Sequence, residues 1–219
     1  MGSPRQNLDA LFARLREAPP QVRFRDPLAN SVVEETLSAG AVAAVVRLYA
    51  YTPAIAAMLP LSLHEAASGR PEMLAAQARM LTSMLGESIM HGMQLSVICT
   101  EDAPGLAVNP ADAGTVIGNA MIEVLKAQCA GWPTGSVAPD FHTALVSDAP
   151  VLLMSGEFDP VTPPRYGETA LAQFANGRHL VLRGQGHNVV GTGCMPRLLG
   201  QCIDTTDATA LEAKCVEHP

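Results

Sequence analysis

Residues 149–193 read APVLLMSGEFDPVTPPRYGETALAQFANGRHLVLRGQGHNVVGTG. Pro150 opens the apolar run Val151–Met154, short enough for a buried strand. Asp159 follows in a loop punctuated by Pro160, Pro163 and Pro164. Thr162 and Pro163 predict a helix N-cap and first turn. That helix is expected to run through Leu171 to Phe174 and to stop at Asn176 and Gly177. His179–Leu182 predicts a second apolar strand, followed by a turn at Gly184, Gln185 and Gly186. His187 stands at the tip of that turn, and Gly186 before it is expected to supply an unusual backbone angle. An acid and a histidine thus follow two strands joined by a helix. If the strands are parallel and adjacent, both side chains rise from one edge of the sheet, where open α/β sheets place their chemistry.

Acid before histidine, with a serine ahead of both, is the order of the triad in α/β-hydrolases. The segments Gly156–Pro163 (GEFDPVTP), Gly184–Gly191 (GQGHNVVG) and Cys129–Pro133 (CAGWP) carry a resemblance. The chain resembles the C-terminal part of secreted α/β-hydrolases of the proline-iminopeptidase and tripeptidyl-aminopeptidase type, closely in these segments and loosely over nearly its whole length. The resemblance implies an α/β class. It implies a partial α/β-hydrolase fold, in which a helical cap segment precedes the last strands and helices of the core sheet. Residues 1–108 would be a cap portion with a small hairpin, and residues 109–219 the C-terminal part of the core. Asp159 would orient His187, and His187 would act as general base on a small ester, amide or peptide substrate, with no cofactor.

The same resemblance exposes a gap. The chain contains no G-x-S-x-G elbow, and the oxyanion-hole loop is missing with it. The nearest approach, Gly86-Glu87-Ser88-Ile89-Met90, lacks the second glycine and sits in an amphipathic helical pattern. The chain is therefore expected to begin inside the cap and to be inactive or weak alone. Two alternatives stand beside this reading: an active hydrolase completed by another chain or by an atypical serine, and a binding module on a hydrolase scaffold. Ser88 and Ser155 are the serines to test as substitutes. Glu101 and Asp102 are candidates for holding a substrate ammonium by a charge-assisted contact; the competing reading is a solvated helix end.

Composition narrows the partners. The 219 residues are 48% hydrophobic, enough for one domain or one and a half. Mean hydropathy is +0.17, which fits a globular chain. Aromatics make up only 4%, so the core rests on Leu, Val, Ala and Met. A net charge of −7, with no basic patch, argues against nucleic acid. No apolar run approaches a membrane span. The opening Met1-Gly2-Ser3-Pro4-Arg5-Gln6 does not read as a signal peptide, although the resembling family is largely exported.

No two of the five cysteines have C-x-x-C spacing, and no histidine–cysteine cluster suggests a metal. The resemblance implies disulfides Cys99–Cys129 and Cys194–Cys215, each worth roughly 3 kcal/mol if unstrained, with Cys202 left over. Five buried thiols remain the alternative. His64, His91, His142, His179 and His218 have no motif around them.

Ahead of the quoted stretch, Leu8, Leu11, Phe12 and Leu15 predict an amphipathic helix ended by Pro19 and Pro20. Residues 21–26 and 31–37 predict a hairpin around Pro27–Asn30. Ser38 caps a helix to about Tyr49, and three more helices follow, starting at Thr52-Pro53, Pro60 and Pro71. Met93–Ile98 reads as strand or buried helix, and the resemblance favours helix. Asn109 and Pro110 predict a long helix over Ala111–Cys129. Beyond the histidine, helices are expected over Met195–Ile203 and Ala208–Val216. Two core strands alone leave an open, apolar edge. A homo-oligomer or a complementary chain is therefore expected to cover the edge near Val151 or Leu180.

Overall fold

The computed structural model describes residues 3–217; Met1, Gly2, His218 and Pro219 lie outside the described residues. The chain forms two compact units. The first takes the chain to Val46 and again over Leu59–Phe141; the second takes Arg47–Met58 and everything from His142 onward.

The first unit is mostly helical. Helix α1 (Pro4–Glu17) has proline in its first turn and buries Leu11, Phe12 and Leu15. Strands β1 (Gln21–Arg25) and β2 (Val32–Thr36) pair antiparallel, with Phe24 opposite Val33. Val22 and Phe24 point inward between exposed neighbours, as the alternation predicts. In the turn, the Asp26 carboxylate accepts from the amides of Leu28 (2.8 Å) and Ala29 (3.1 Å). Asn30 closes the turn at φ 55°. Helix α2 (Ala39–Tyr49) opens with the Ser38 hydroxyl accepting from the amide of Ala41. The chain leaves this unit over Arg47–Met58, which hold α3 (Pro53–Ala56), and returns in α4 (Leu59–Ala67); α5 (Glu72–Ser88) then lies against β1. Arg79 on α5 pairs with Asp26 at 3.1 Å and with Glu35 at 3.0 Å.

Met93–Ile98 is helical: α6 (His91–Val97) runs into a π-helical turn over Ile98–Asp102. The long helix expected over Ala111–Cys129 is only α7 (Ala120–Cys129). Side chains before it bind backbone that a helix would need. The Asn119 amide oxygen accepts from the Asn109 amide and its nitrogen donates to the Asn109 carbonyl. The Thr115 hydroxyl accepts from the amide of Gly118, which sits at φ 58°. Cys99 is joined to Cys129.

The second unit carries the parallel sheet. Strands β3 (Val151–Gly156) and β4 (Gly177–Leu182) pair in register from Val151–Gly177 to Gly156–Leu182. Helix α8 (Pro164–Leu171) connects them. Leu152, Met154, Leu180 and Leu182 lie with Met195 and Leu198 of α9 (Met195–Thr205) and with Leu211, Ala213 and Val216 in one apolar cluster. The opposite face lies under α8. There Gly167 sits so close to the His179 ring that a Cβ would come within 2.7 Å of it. Cys194 is joined to Cys215, and Cys202 is a free thiol. No helix over Ala208–Val216 forms beyond a 3-10 turn at Lys214–Val216. Arg178 donates to the carbonyls of Ala208, Thr209 and Leu211, and the Asp207 carboxylate takes the amides of Thr209 and Ala210. The three carbonyls held by Arg178 are ones a helix over these residues would need. The architecture is mixed α/β, consistent with a partial α/β-hydrolase-like fold.

Candidate active site

The C-terminal ends of β3 and β4 each lead into a loop, and the two loops are stitched together. The Phe158 amide donates to the Gln185 carbonyl (2.8 Å) and the Glu157 amide to the Leu182 carbonyl (3.0 Å). The Glu157 carboxylate accepts from the Gly184 amide (2.8 Å). At the crossing of the two loops, the Gly186 carbonyl occupies the space a Cβ on Gly156 would need, 1.9 Å away. Only glycine allows that approach.

This stitching brings Asp159 and His187 into contact. His187 Nδ1 lies 2.9 Å from Asp159 Oδ2. The Asp159 side chain is 4% exposed and that of His187 is 32% exposed. Asp159 Oδ1 accepts from the amides of Val161 (2.8 Å) and Thr162 (2.9 Å), and Oδ2 also accepts from the Thr162 hydroxyl (3.1 Å). Burial works against the carboxylate's charge. The amides of Thr162 and Val161, the His187 ring and the Thr162 hydroxyl outweigh it and hold the carboxyl below its usual value. An ionised Asp159 is an acceptor only, so the imidazole presents Nδ1–H to it. Nε2 then carries the lone pair, and it has no hydrogen-bond partner among the described residues. Such a ring can take up a proton at Nε2 while the acid steadies the resulting charge.

Thr162 was expected to cap α8, but its hydroxyl and amide serve Asp159 instead, and Pro163 precedes the helix. The spacing Asp159-Pro160-Val161-Thr162 is an Asx-turn signal, and it was the clue available. Gly186 also differs from expectation. The left-handed residues of this loop are Gly184 (φ 68°) and Asn188 (φ 65°). Gly186 is required by space: a Cβ there would lie 2.2 Å from the Tyr51 carbonyl oxygen.

Ser155 Oγ lies 2.9 Å from His179 Nε2, in the sheet face under α8. Burial lowers the His179 pKa, with Glu168 opposing. Ser88, at the end of α5, donates to the carbonyls of Met84 and Leu85. Glu101 and Asp102 lie on the π-helical turn of the first unit. His64 meets Asn7, and His91 meets Gln94. Among the described residues no group of three His, Cys, Asp or Glu side chains could hold a metal ion, and no helix is long and apolar enough to cross a membrane.

The protein family described as TAP-like protein, an α/β-hydrolase domain, matches residues 114–215. No curated protein matches the chain. The matched span takes in β3, α8, β4 and α9 together with Asp159 and His187, so the family likeness falls on the segment that builds the acid–histidine pair.

Proposed function

We propose that this chain supplies the acid and the base of a serine-hydrolase triad, in the manner of the proline-iminopeptidase and tripeptidyl-aminopeptidase type. The observation that carries the reading is the 2.9 Å contact between a buried, fourfold-bonded Asp159 and a partly exposed His187 at the ends of two parallel strands. His187 Nε2 would accept the proton of a serine hydroxyl and return it to the leaving group. Asp159 would fix the tautomer and stabilise the imidazolium. Substrates would be esters, amides or peptide N-termini, with Glu101 and Asp102 as candidates for an ammonium contact. Residues 1–108 would serve as cap and residues 109–219 as the end of the core. Since the 219 residues hold no G-x-S-x-G, the nucleophile would come from outside them. The two-stranded parallel sheet supports a further strand adding to it, from a complementary chain or a second copy.

Two measurements on the full chain test this. Mapping of diethylpyrocarbonate adducts by mass should find His187 the fastest-reacting histidine, and Asp159→Asn should slow it. A His187 no faster than the others, or indifferent to Asp159→Asn, sinks the base assignment. A serine-directed fluorophosphonate should leave the chain alone unlabelled. Labelling of Ser155, which already meets His179 Nε2, would instead favour an active enzyme with an atypical serine.

A further inference from the structure

The histidine loop is held by a segment from far earlier in the chain. Residues Arg47–Met58 belong to the second unit although both their ends continue into the first. Within this segment the Tyr51 carbonyl accepts the His187 amide at 2.8 Å. The Tyr51 ring also meets the His187 ring edge-on, with centroids 5.1 Å apart and planes inclined at 62°. Gly186 completes the contact, because its position leaves 2.2 Å between a Cβ and the Tyr51 oxygen and 3.0 Å between a Cβ and the Ala50 oxygen. Gly156 in turn lies under the Gly186 carbonyl. Three backbones therefore stack without room for a side chain: the end of β3, the histidine loop and the Ala50–Tyr51 turn.

Asp159 constrains His187 at one ring atom, Nδ1. A single hydrogen bond fixes that atom and leaves the ring plane free to swing about it. The Tyr51 carbonyl fixes the backbone from which the ring departs, and the Tyr51 ring limits the plane. From these contacts we infer that Tyr51 is a positioning residue for His187, setting the direction in which Nε2 presents its lone pair. The inference rests on the reading of His187 as the base, and it adds a third point of support that neither motif contains. The carbonyl would serve with any residue at this position, whereas the plane needs an aromatic ring. Phenylalanine should therefore replace Tyr51, and leucine should not.

Histidine-selective NMR on the full-length chain tests this without requiring turnover. In the wild type and in Tyr51→Phe, the expected result is a slowly exchanging Nδ1 proton on His187. Tyr51→Leu should lose that proton signal, with the signals of the other histidines unmoved. Gly186→Ala, which pushes the loop away from the Tyr51 carbonyl while sparing the tyrosine, should do the same. Unchanged His187 signals in Tyr51→Leu would overturn the inference. So would global unfolding of both Tyr51→Leu and Gly186→Ala, since the contact would then set the fold rather than the histidine. Failure of the base assignment in the diethylpyrocarbonate experiment would leave these NMR signals as expected, so the two failures are distinguishable.

Discussion

Replacing Asp159 with asparagine removes one charge and turns an acceptor into a donor, with little change in shape. The wild-type carboxylate accepts four hydrogen bonds, from the Val161 and Thr162 amides, the Thr162 hydroxyl and His187 Nδ1. Asparagine can keep its oxygen toward the two amides and lay its nitrogen against the Thr162 hydroxyl, which can turn to accept. Against His187 the new amide places donor on donor. Hydrogen bonds to charged groups contribute about 1.5–3 kcal/mol and neutral ones about 1 kcal/mol, so weakening the two amide bonds and losing the histidine bond should cost at least about 2.5 kcal/mol. Asp159→Ala loses all four partners and leaves two amides to be satisfied by water, and a cost at least twice as large is expected. Urea denaturation at pH 7 reads both values. The histidine can relieve the clash in Asp159→Asn by moving its proton to Nε2, which ¹⁵N NMR reports directly. That tautomer has no lone pair at Nε2 and cannot act as base. Equal costs for the two variants, or a retained Nδ1–H in Asp159→Asn, would refute the reasoning.

The same carboxylate sets a pH signature. Its folded pKa lies below the usual value because the bonds from Thr162, Val161 and His187 outweigh burial. A lowered folded pKa contributes stability in full above the unfolded pKa and loses it as the pH falls through the folded one. In a His187→Gln background the Thr162 and Val161 amides and the Thr162 hydroxyl still hold the carboxylate, and the gap between Asp159 and Asp159→Asn should hold from pH 7 to 5. It should close only below about pH 4.

Two further expectations concern the scaffold. Gly167→Ala places a Cβ 2.7 Å from the His179 ring and should cost about 1–3 kcal/mol in thermal or urea denaturation, a penalty that His179→Ala should abolish; an unchanged penalty in that background would show the strain lies elsewhere. Removing the Cys194–Cys215 bridge by Cys194→Ser with Cys215→Ser frees a loop with a sequence separation of 21 and should cost roughly 3 kcal/mol, while Cys202→Ala should cost much less; equal losses would place the effect in packing.

The strand–helix–strand unit was legible because its signals are local. Pro150, Pro163 and Gly177 punctuate short apolar runs, and such runs have few ways to bury themselves. The hairpin at Gln21–Thr36 was legible for the same reason, through its alternation and its polar turn. The acid–histidine pair followed from chain order once the two strands were taken as parallel neighbours. Two predicted helices failed where side chains compete for backbone. Asn109 with Asn119 shortened α7, and Arg178, far earlier in the chain, holds carbonyls within residues 208–211. Helical periodicity carries no record of such competition.

Only tertiary structure decided what Gly186 and Tyr51 do. A glycine in sequence marks freedom of φ or a lack of space alike, and the Tyr51 carbonyl against the Gly186 backbone selects the second. Tyr51 lay outside every motif, because a backbone carbonyl that meets an amide far along the chain leaves no trace in residue type. Sequence alone picked out Asp159 and His187 as a pair, and the structure brings them into contact. The contacts His187 makes with the Tyr51 carbonyl and ring join residues far apart in the chain, and only folding brings them together.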